Sequence, residues 1–195
     1  NSLLRNDITD TDGKWVFTDV TQEVGLDVHN RRFTFAAAWE DFDNDGDQDL
    51  YVANDYGRNN LYRNDGGRFV DIAAQAGVED TSAGMSVSWA DCNRDGRMDL
   101  YISNMFSGAG NRITYQQQFQ AGVDDQVREQ FQRMARGNTL FLSESGERFR
   151  DVSVAAGVTM GRWAWGSRFA DINNDGWQDI LVANGFITAG DTKDL

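Results

Sequence analysis

Three ten-residue stretches of the chain concentrate oxygen-bearing side chains that could bind a metal ion. They read DFDNDGDQDL from Asp41, DCNRDGRMDL from Asp91 and DINNDGWQDI from Asp171, with the shared pattern D-x-[DN]-x-D-G-x-x-D. Eleven of the 31 acidic residues of the chain lie in them. Because crowded carboxylates repel one another, a pattern that occurs three times indicates bound cations rather than three solvated turns.

Calcium suits this pattern, since it takes about six to eight oxygen ligands from carboxylates, amides and backbone carbonyls. We expect positions one, three, five and nine of each loop to supply side-chain oxygens and position seven its backbone carbonyl. Glycine at position six permits the sharp bend. The predicted ligands are Asp41, Asp43, Asp45, Asp47 and Asp49 in loop one; Asp91, Asn93, Asp95, Arg97 and Asp99 in loop two; and Asp171, Asn173, Asp175, Trp177 and Asp179 in loop three.

Other metal sites fit the residues less well. An EF-hand needs an acidic twelfth position between two helices, whereas position twelve here is valine or isoleucine. Magnesium keeps waters in a rigid octahedron, and zinc prefers His or Cys. We therefore predict about three structural calcium sites. Loop two is the weakest of the three, because Arg97 brings a positive charge to it.

The surroundings of the loops repeat as well. The loops start 50 and then 80 residues apart, and two further blocks recur in the same order. One block reads NSLLRND, NNLYRND and NTLFLSE; the other reads FTDVTQEVGL, FVDIAAQAGV and FRDVSVAAGV. Each unit contains about four short segments with strand patterning, separated by turn residues. Four strands per unit of about 50 residues predict the blades of a β-propeller.

We expect one all-β propeller region that spans the chain. Its divisions are a partial blade at 1–30, complete blades at 31–80 and 81–158, and a partial blade at 159–195. This count favours a piece of a longer propeller, because propellers have about four to eight blades; pairing of the two halves is the alternative. The chain opens inside a repeat, which also favours a mature product or a fragment. The aromatic residues two positions before each loop are expected in the blade core: Trp39, Trp89 and Phe169.

The middle repeat carries about 30 additional residues, at 105–137. Asp124 is a candidate N-cap for a helix that ends at Gly137, and a shorter helix is expected at 113–119. Three apolar residues at helical spacing mark one face of the longer helix: Val127, Phe131 and Met134. The insertion is either a cap on the propeller rim or an element that docks a partner.

Composition limits the possible partners. The net charge is −13, which disfavours nucleic acid and anionic membrane surfaces, and three divalent cations would reduce it to about −7. No apolar run is long enough for membrane insertion. Cys92 is the only cysteine, so an internal disulfide framework is excluded.

These motifs resemble the FG-GAP/VCBS-type propeller repeats, whose hairpins carry integrin-like calcium loops. The runs NNLYRNDGGRFVDIAAQAGV and WADCNRDGRMDLYISN resemble the ASPIC/UnbV and cartilage-acidic-protein branch. The resemblance implies a propeller, seven-bladed in that branch, with structural Ca²⁺ held by the Asp and Asn residues named above. It also implies a secreted, periplasmic or cell-surface location.

The sequence offers little for catalysis. His29 is the only histidine, and the hydrolase, metalloprotease and nucleotide-binding motifs do not occur. We expect a non-enzymatic, extracytoplasmic calcium-stabilised scaffold that binds a protein or a glycan. A propeller-based hydrolase or lyase is one alternative. A subunit of a larger complex, docked through 105–137, is another.

Overall fold

The fold is described by a computed structural model for residues 1–145 and 147–185, without the side chains of Asp10 and Thr11. The strands are β1 (Leu4–Asn6), β2 (Phe17–Asp19), β3 (Phe33–Glu40), β4 (Asp49–Tyr56), β5 (Asn60–Asn64), β6 (Phe69–Asp71), β7 (Gly84–Ala90), β8 (Asp99–Asn104), β9 (Thr139–Glu144), β10 (Arg148–Asp151), β11 (Ala164–Ala170) and β12 (Asp179–Asn184). The helices are α1 (Ala73–Ala76), α2 (Gly108–Thr114) and α3 (Asp125–Arg136), with a 3₁₀ turn at Ile8–Thr11. The last ten residues of the predicted partial blade at 159–195 lie outside the described residues.

The strands form antiparallel sheets in which sequence neighbours pair. One four-stranded sheet has the order β3-β4-β5-β6, and the second has the order β7-β8-β9-β10. Two further sheets, β1-β2 and β11-β12, contain two strands each and do not pair with one another in the described part of the chain. The predicted all-β, propeller-like architecture of four-stranded antiparallel sheets is confirmed.

The first strands of successive units lie next to each other. Strand β7 contacts β3 on one side and β11 on the other. The hydroxyls of Ser86 on β7 and Ser167 on β11 are 2.9 Å apart, and the Ser88 hydroxyl donates to the backbone carbonyl of Ser167 at 2.7 Å. The hairpins β3–β4, β7–β8 and β11–β12 therefore present their connecting loops as neighbours.

Apolar side chains fill the space between consecutive sheets. Between the two four-stranded sheets, Tyr51 and Leu61 pack with Leu100 and Phe141, and all four are almost fully buried. A second cluster joins residues 1–30 to the first sheet, and a third joins the second sheet to β11-β12. Since burial of apolar area is the main stabilising term in folding, these three clusters hold the sheets together.

The aromatic residues that precede the loops differ in burial. Phe169 is buried against the second sheet, and Trp89 packs against the core between the two complete sheets. Trp39 is 45% exposed. The expectation that all three would lie in the core is therefore wrong for Trp39. Among the described residues, no hairpin with an acidic loop covers that side of the first sheet.

Two helices occupy the insertion between β8 and β9. Helix α3 begins where predicted, because the Asp124 carboxylate accepts a hydrogen bond of 2.8 Å from the backbone N–H of Gln126. The shorter helix is α2, at Gly108–Thr114 rather than 113–119. Ser107 caps α2 by accepting from the backbone N–H of Gly110 at 3.0 Å, which starts the helix earlier than the apolar pattern suggested. No helix of the described residues is long and apolar enough to cross a membrane.

Helix α3 packs with its arginines toward the sheet. The Arg133 Nε lies 3.1 Å from an oxygen of Asp80, a residue without solvent exposure, and Arg136 donates to Asp151 at 2.8 Å. The predicted apolar face lies on the exposed side of the helix, with exposed fractions of 39% for Val127, 36% for Phe131 and 41% for Met134.

Candidate metal centres

The three acidic loops have the same local hydrogen-bond pattern, each at the turn of a hairpin. In loop one, the Asp41 carboxylate accepts from the backbone N–H groups of Asp45 and Gly46, both at 3.0 Å. The equivalent bonds of Asp91 and Asp171 span 2.8 to 3.2 Å. The first aspartate of each loop therefore fixes the bend that brings the following side chains inward.

The backbone of the loops is left-handed at position four, a feature that the sequence analysis did not predict. Asn44, Arg94 and Asn174 have φ angles of 62°, 61° and 60°. Asparagine tolerates this conformation better than most residues, so its presence in two of three loops was the available signal. Gly46 at position six has a φ of 94°, which only glycine adopts readily.

Loop one brings three carboxylates together. One oxygen each from Asp41, Asp43 and Asp49 lies within 4.8 Å of the other two. Among the described residues, this is the only group of three acidic, histidine or cysteine side chains with such spacing. Asp45 is not part of the group, and its carboxylate accepts from the backbone N–H of Asp47 at 2.8 Å. A set made only of oxygens is the ligand type that calcium prefers.

The electrostatics of loop one favour a cation. Asp49 is 1% exposed, and burial raises its pKa to about 6 although two backbone N–H groups oppose the shift. Burial and the adjacent charge of Asp45 also raise the pKa of Asp43. A cation among these oxygens would reverse both effects, because it stabilises the ionised form.

Asp49 also ties loop one to the rest of its sheet. One oxygen accepts from the backbone N–H of Phe42 at 3.2 Å, and the other accepts from Asn64 on β5 at 2.8 Å. Asp99 does the same in loop two, where it accepts from Cys92 at 3.1 Å and from Ser143 on β9 at 2.9 Å. The ninth position is thus a buried link between the loop and the third strand.

Loop two has two further features. The Cys92 thiol donates to Asp99 at 3.0 Å, and burial together with this bond raises the pKa of the thiol to about 12. The guanidinium of Arg97 pairs with the Asp95 carboxylate and donates to the backbone carbonyl of Ser143 at 3.3 Å. The position-seven side chain of loop two therefore neutralises a predicted ligand, whereas Asp47 of loop one accepts from the backbone N–H of Gly66 at 2.9 Å.

Loop three is stabilised by hydrogen bonds from its own amide groups and by a contact with loop two. Asp179 accepts from the backbone N–H of Ile172 at 3.1 Å. Hydrogen bonds from the Trp177 backbone and the Asn173 side chain lower the pKa of Asp175. Arg94 of loop two lies over the Trp177 ring, 4.5 Å from its centroid, so adjacent loops touch.

The sequence matches the family model described as FG-GAP-like repeat at residues 41–102 and 130–182. The chain belongs to the FG-GAP-like repeat family. The first match contains loops one and two, and the second contains loop three. No curated protein matches the chain significantly. The matched residues thus contain all three acidic loops and the third strands β5 and β9, to which Asp49 and Asp99 are hydrogen-bonded.

His29, which lies outside the FG-GAP-like loops and could suggest catalysis, takes part in a contact between two parts of the fold. His29 is largely exposed on a turn, with Nδ1 2.9 Å from an Asp71 oxygen. The same Asp71 oxygen accepts from the Asn60 side chain at 2.8 Å, so this contact joins residues 1–30 to the first sheet. The oxygen-rich hairpin loops remain the best candidate for a functional site.

Proposed function

We propose that this chain is an extracytoplasmic, calcium-stabilised β-propeller scaffold that binds a protein or glycan partner. The observation that carries the calcium assignment is the convergence of the Asp41, Asp43 and Asp49 carboxylates in loop one. Loops two and three share the backbone pattern and keep oxygen ligands at the same positions, with Asn93 and Asn173 in place of the third-position aspartate. We therefore propose one ion per loop.

Calcium would act by bracing the sheets. It would offset the repulsion among loop carboxylates while Asp49 and Asp99 hold the third strand through the backbone N–H groups of Asn64 and Ser143. For a dissociation constant of about 10⁻⁴ M, millimolar calcium stabilises the folded state by roughly 1.4 kcal/mol per site. Three such sites would be a sizeable fraction of the stability of an ordinary domain.

A pair of matched variants tests the calcium assignment. Asp41→Asn replaces a ligand that is central to the loop, whereas Asp47→Asn changes a side chain that bonds Gly66 and keeps the position-seven carbonyl. Tb³⁺ luminescence sensitised by tryptophan reports occupancy directly, and Ca²⁺ competes for the same sites. We expect weaker ion binding in Asp41→Asn and near-normal binding in Asp47→Asn. Equal binding by the wild type and Asp41→Asn would refute the assignment for loop one.

The helical insertion is the proposed contact for a protein partner. The aromatic rings of Phe131 and Phe119 pack edge to face at 5.4 Å, and Val127 and Met134 lie exposed beside them. Because Arg133 and Arg136 anchor the other side of α3, point substitutions can change the exposed face without removing the anchors. Val127→Asp with Met134→Asp should release a co-purifying protein while leaving calcium binding intact. A partner that stays bound would remove 105–137 as the docking element.

The proposed location, family branch and non-enzymatic role follow from the same features. Calcium sites with dissociation constants of about 10⁻⁴ M suit extracellular, periplasmic or cell-surface conditions, where free calcium is high. A dissociation constant below micromolar would contradict this location. We also assign the chain to the ASPIC/UnbV and cartilage-acidic-protein branch on its NNLYRND and FVDIAAQAGV blocks. The proposed role is not enzymatic, and a hydrolase activity lost on substitution of an aspartate outside the loops would overturn it.

A further inference from the structure

The side chain of Arg94 joins loop two to loop three. Arg94 occupies position four of loop two, where loops one and three have Asn44 and Asn174, and all three residues have a left-handed backbone. Its guanidinium carbon lies 4.5 Å from the centroid of the Trp177 ring in loop three. Nη2 of Arg94 also fills the space that a Cβ at Gly176 would need. The charge of Arg94 therefore lies on loop three, although the residue belongs to loop two.

The guanidinium of Arg94 is close to a predicted calcium ligand of loop three. Gly176 and Trp177, which it contacts, directly follow Asp175 at position five. Hydrogen bonds from the Trp177 backbone and the Asn173 side chain are the main causes of the lowered pKa of Asp175. The positive charge of Arg94 acts on this pKa in the same direction. Within the described residues, Arg94 has no salt bridge of 4.0 Å or less, so no carboxylate pairs with it directly.

Loop one has more negative surroundings. A cavity of about 290 Å³ lies between this loop and the turn that connects β9 and β10. Its charged lining residues are Asp43, Asp45, Arg97, Glu144 and Glu147. Burial, followed by the charges of Asp45 and Glu147, raises the pKa of Asp43, although Glu147 also pairs with Arg63. Position four of loop one is the neutral Asn44, so this loop has no counterpart of the Arg94 contact.

These different surroundings should change how tightly each loop holds a divalent cation. A single positive charge at about 7–10 Å from a divalent ion weakens its binding about four- to sevenfold in water. Dissolved salt screens this repulsion, because the Debye length is about 10 Å at 0.1 M ionic strength. Loop one should therefore bind a cation more tightly than loop three, although the two loops share the same backbone hydrogen bonds.

We propose that Arg94 sets the cation affinity of loop three from the neighbouring loop, so that loop one fills with calcium before loop three as the concentration rises. The inference rests on the calcium sites of the proposed function and adds the order in which they fill. The effect is electrostatic, because the guanidinium repels a cation in loop three. In the empty loop, the same charge offsets part of the charge of Asp175.

Terbium luminescence that depends on Trp177 measures binding to loop three, since this tryptophan belongs to that loop. The relevant signal is the part that Trp177→Phe removes and that Ca²⁺ displaces. Arg94→Asn introduces the residue that loops one and three already have at this backbone angle, whereas Arg94→Lys keeps the charge. At low salt, we expect Arg94→Asn to lower the Ca²⁺ midpoint about four- to sevenfold and Arg94→Lys to change it less than about twofold. In about 0.5 M KCl, the effect of Arg94→Asn should fall below about twofold.

Arg112→Gln is the matched control, because it removes the same charge from the exposed surface of α2, outside the acidic loops. It should leave the Ca²⁺ midpoint of loop three unchanged. An unchanged midpoint in Arg94→Asn at low salt, or an equal shift in Arg94→Lys or Arg112→Gln, would overturn the role of Arg94. Calcium binding that does not depend on Arg94 would leave the proposed function intact. Absence of ion binding by every loop would overturn both proposals.

Thermal unfolding separates this electrostatic role from packing alone. Arg94→Asn should melt at a lower temperature than the wild type in EGTA, because the empty loop loses a favourable charge. It should also show a larger rise in melting temperature on saturation with calcium, because the ion then binds more tightly. A residue that only packs on Trp177 would lower both melting temperatures by the same amount. Equal calcium-induced rises in the wild type and Arg94→Asn would therefore contradict the proposal.

Discussion

Arg133 of the inserted helix α3 donates to the carboxylate of Asp80, with 3.1 Å between Nε and Oδ1, and Asp80 is completely buried. The other Asp80 oxygen accepts from the Asn104 side chain at 3.0 Å. The backbone N–H of Ser82 donates to the same Asp80 carboxylate. The Ser82 hydroxyl donates to the backbone carbonyl of Arg133 at 3.1 Å. The insertion is therefore fastened to the end of strand β8 through one ionic network.

This relationship predicts unequal effects for the two partners. Arg133→Met would leave the Asp80 charge buried without its cation, and we expect a loss of about 3 kcal/mol in the free energy of unfolding. Asp80→Asn should cost less, about 1–2 kcal/mol, because Arg133 remains 3.3 Å from Asp151. Urea unfolding of both variants measures the difference. Equal losses, or a larger loss in Asp80→Asn, would contradict this description of the network.

The same network predicts how stability depends on pH. Burial opposes ionisation of Asp80 and Asp151, but arginine charges and hydrogen bonds outweigh it, so the pKa of each lies below its ordinary value. The unfolded state then binds protons first as the pH falls, so stability is present above about pH 4 and is lost below it. Unfolding measured in EGTA from pH 6 to about pH 3 should show a steeper decline for the wild type than for Asp80→Asn. Parallel curves would refute the role of Asp80.

The sequence predicted the hairpins well because their signals are local. A glycine at position six, alternating apolar residues and repeated blocks define the strand–loop–strand units without reference to distant residues. Helix α3 was found for the same reason, since Asp124 caps it and Gly137 follows it. The mutual approach of Asp41, Asp43 and Asp49 also follows from the spacing within one loop.

Features set by distant contacts were not predictable. The apolar face of α3 points outward because Arg133 binds the buried carboxylate of Asp80, which is far away in the sequence, and Arg136 binds the half-buried carboxylate of Asp151 beyond β9. Helix α2 starts at a serine cap in a glycine-rich segment with little apolar periodicity. The exposure of Trp39 depends on which sheet lies beside it, which a single repeat does not encode.

The turn that follows β2 provides a prediction about close packing. Gly25 has a φ of 87°, and a Cβ there would lie 2.8 Å from the backbone carbonyl oxygen of Phe69 in the adjacent sheet. Gly13 has a φ of 79° with open space around it. Both alanine variants incur the left-handed backbone penalty of about 1–2 kcal/mol, but only Gly25→Ala also clashes with backbone.

We therefore expect Gly25→Ala to lower the melting temperature more than Gly13→Ala, as measured by thermal unfolding under the same conditions. The contact at Gly25 lies beside the hydrogen bond of 2.8 Å from the Phe69 N–H to the Val24 carbonyl. Loss of that packing should also loosen residues 1–30, visible as faster amide exchange there. Equal melting temperatures would show that the approach of the two sheets is not tight.

Calorimetric titration of the chelator-treated chain with Ca²⁺ tests the central claim most directly, with thermal unfolding recorded before and after. We predict about three ions bound per chain, one for each loop, and a higher melting temperature with calcium that falls again in EGTA. The triple variant Asp41→Asn, Asp91→Asn, Asp171→Asn should bind weakly and show little calcium response. No binding heat together with identical melting curves with and without calcium would contradict the account.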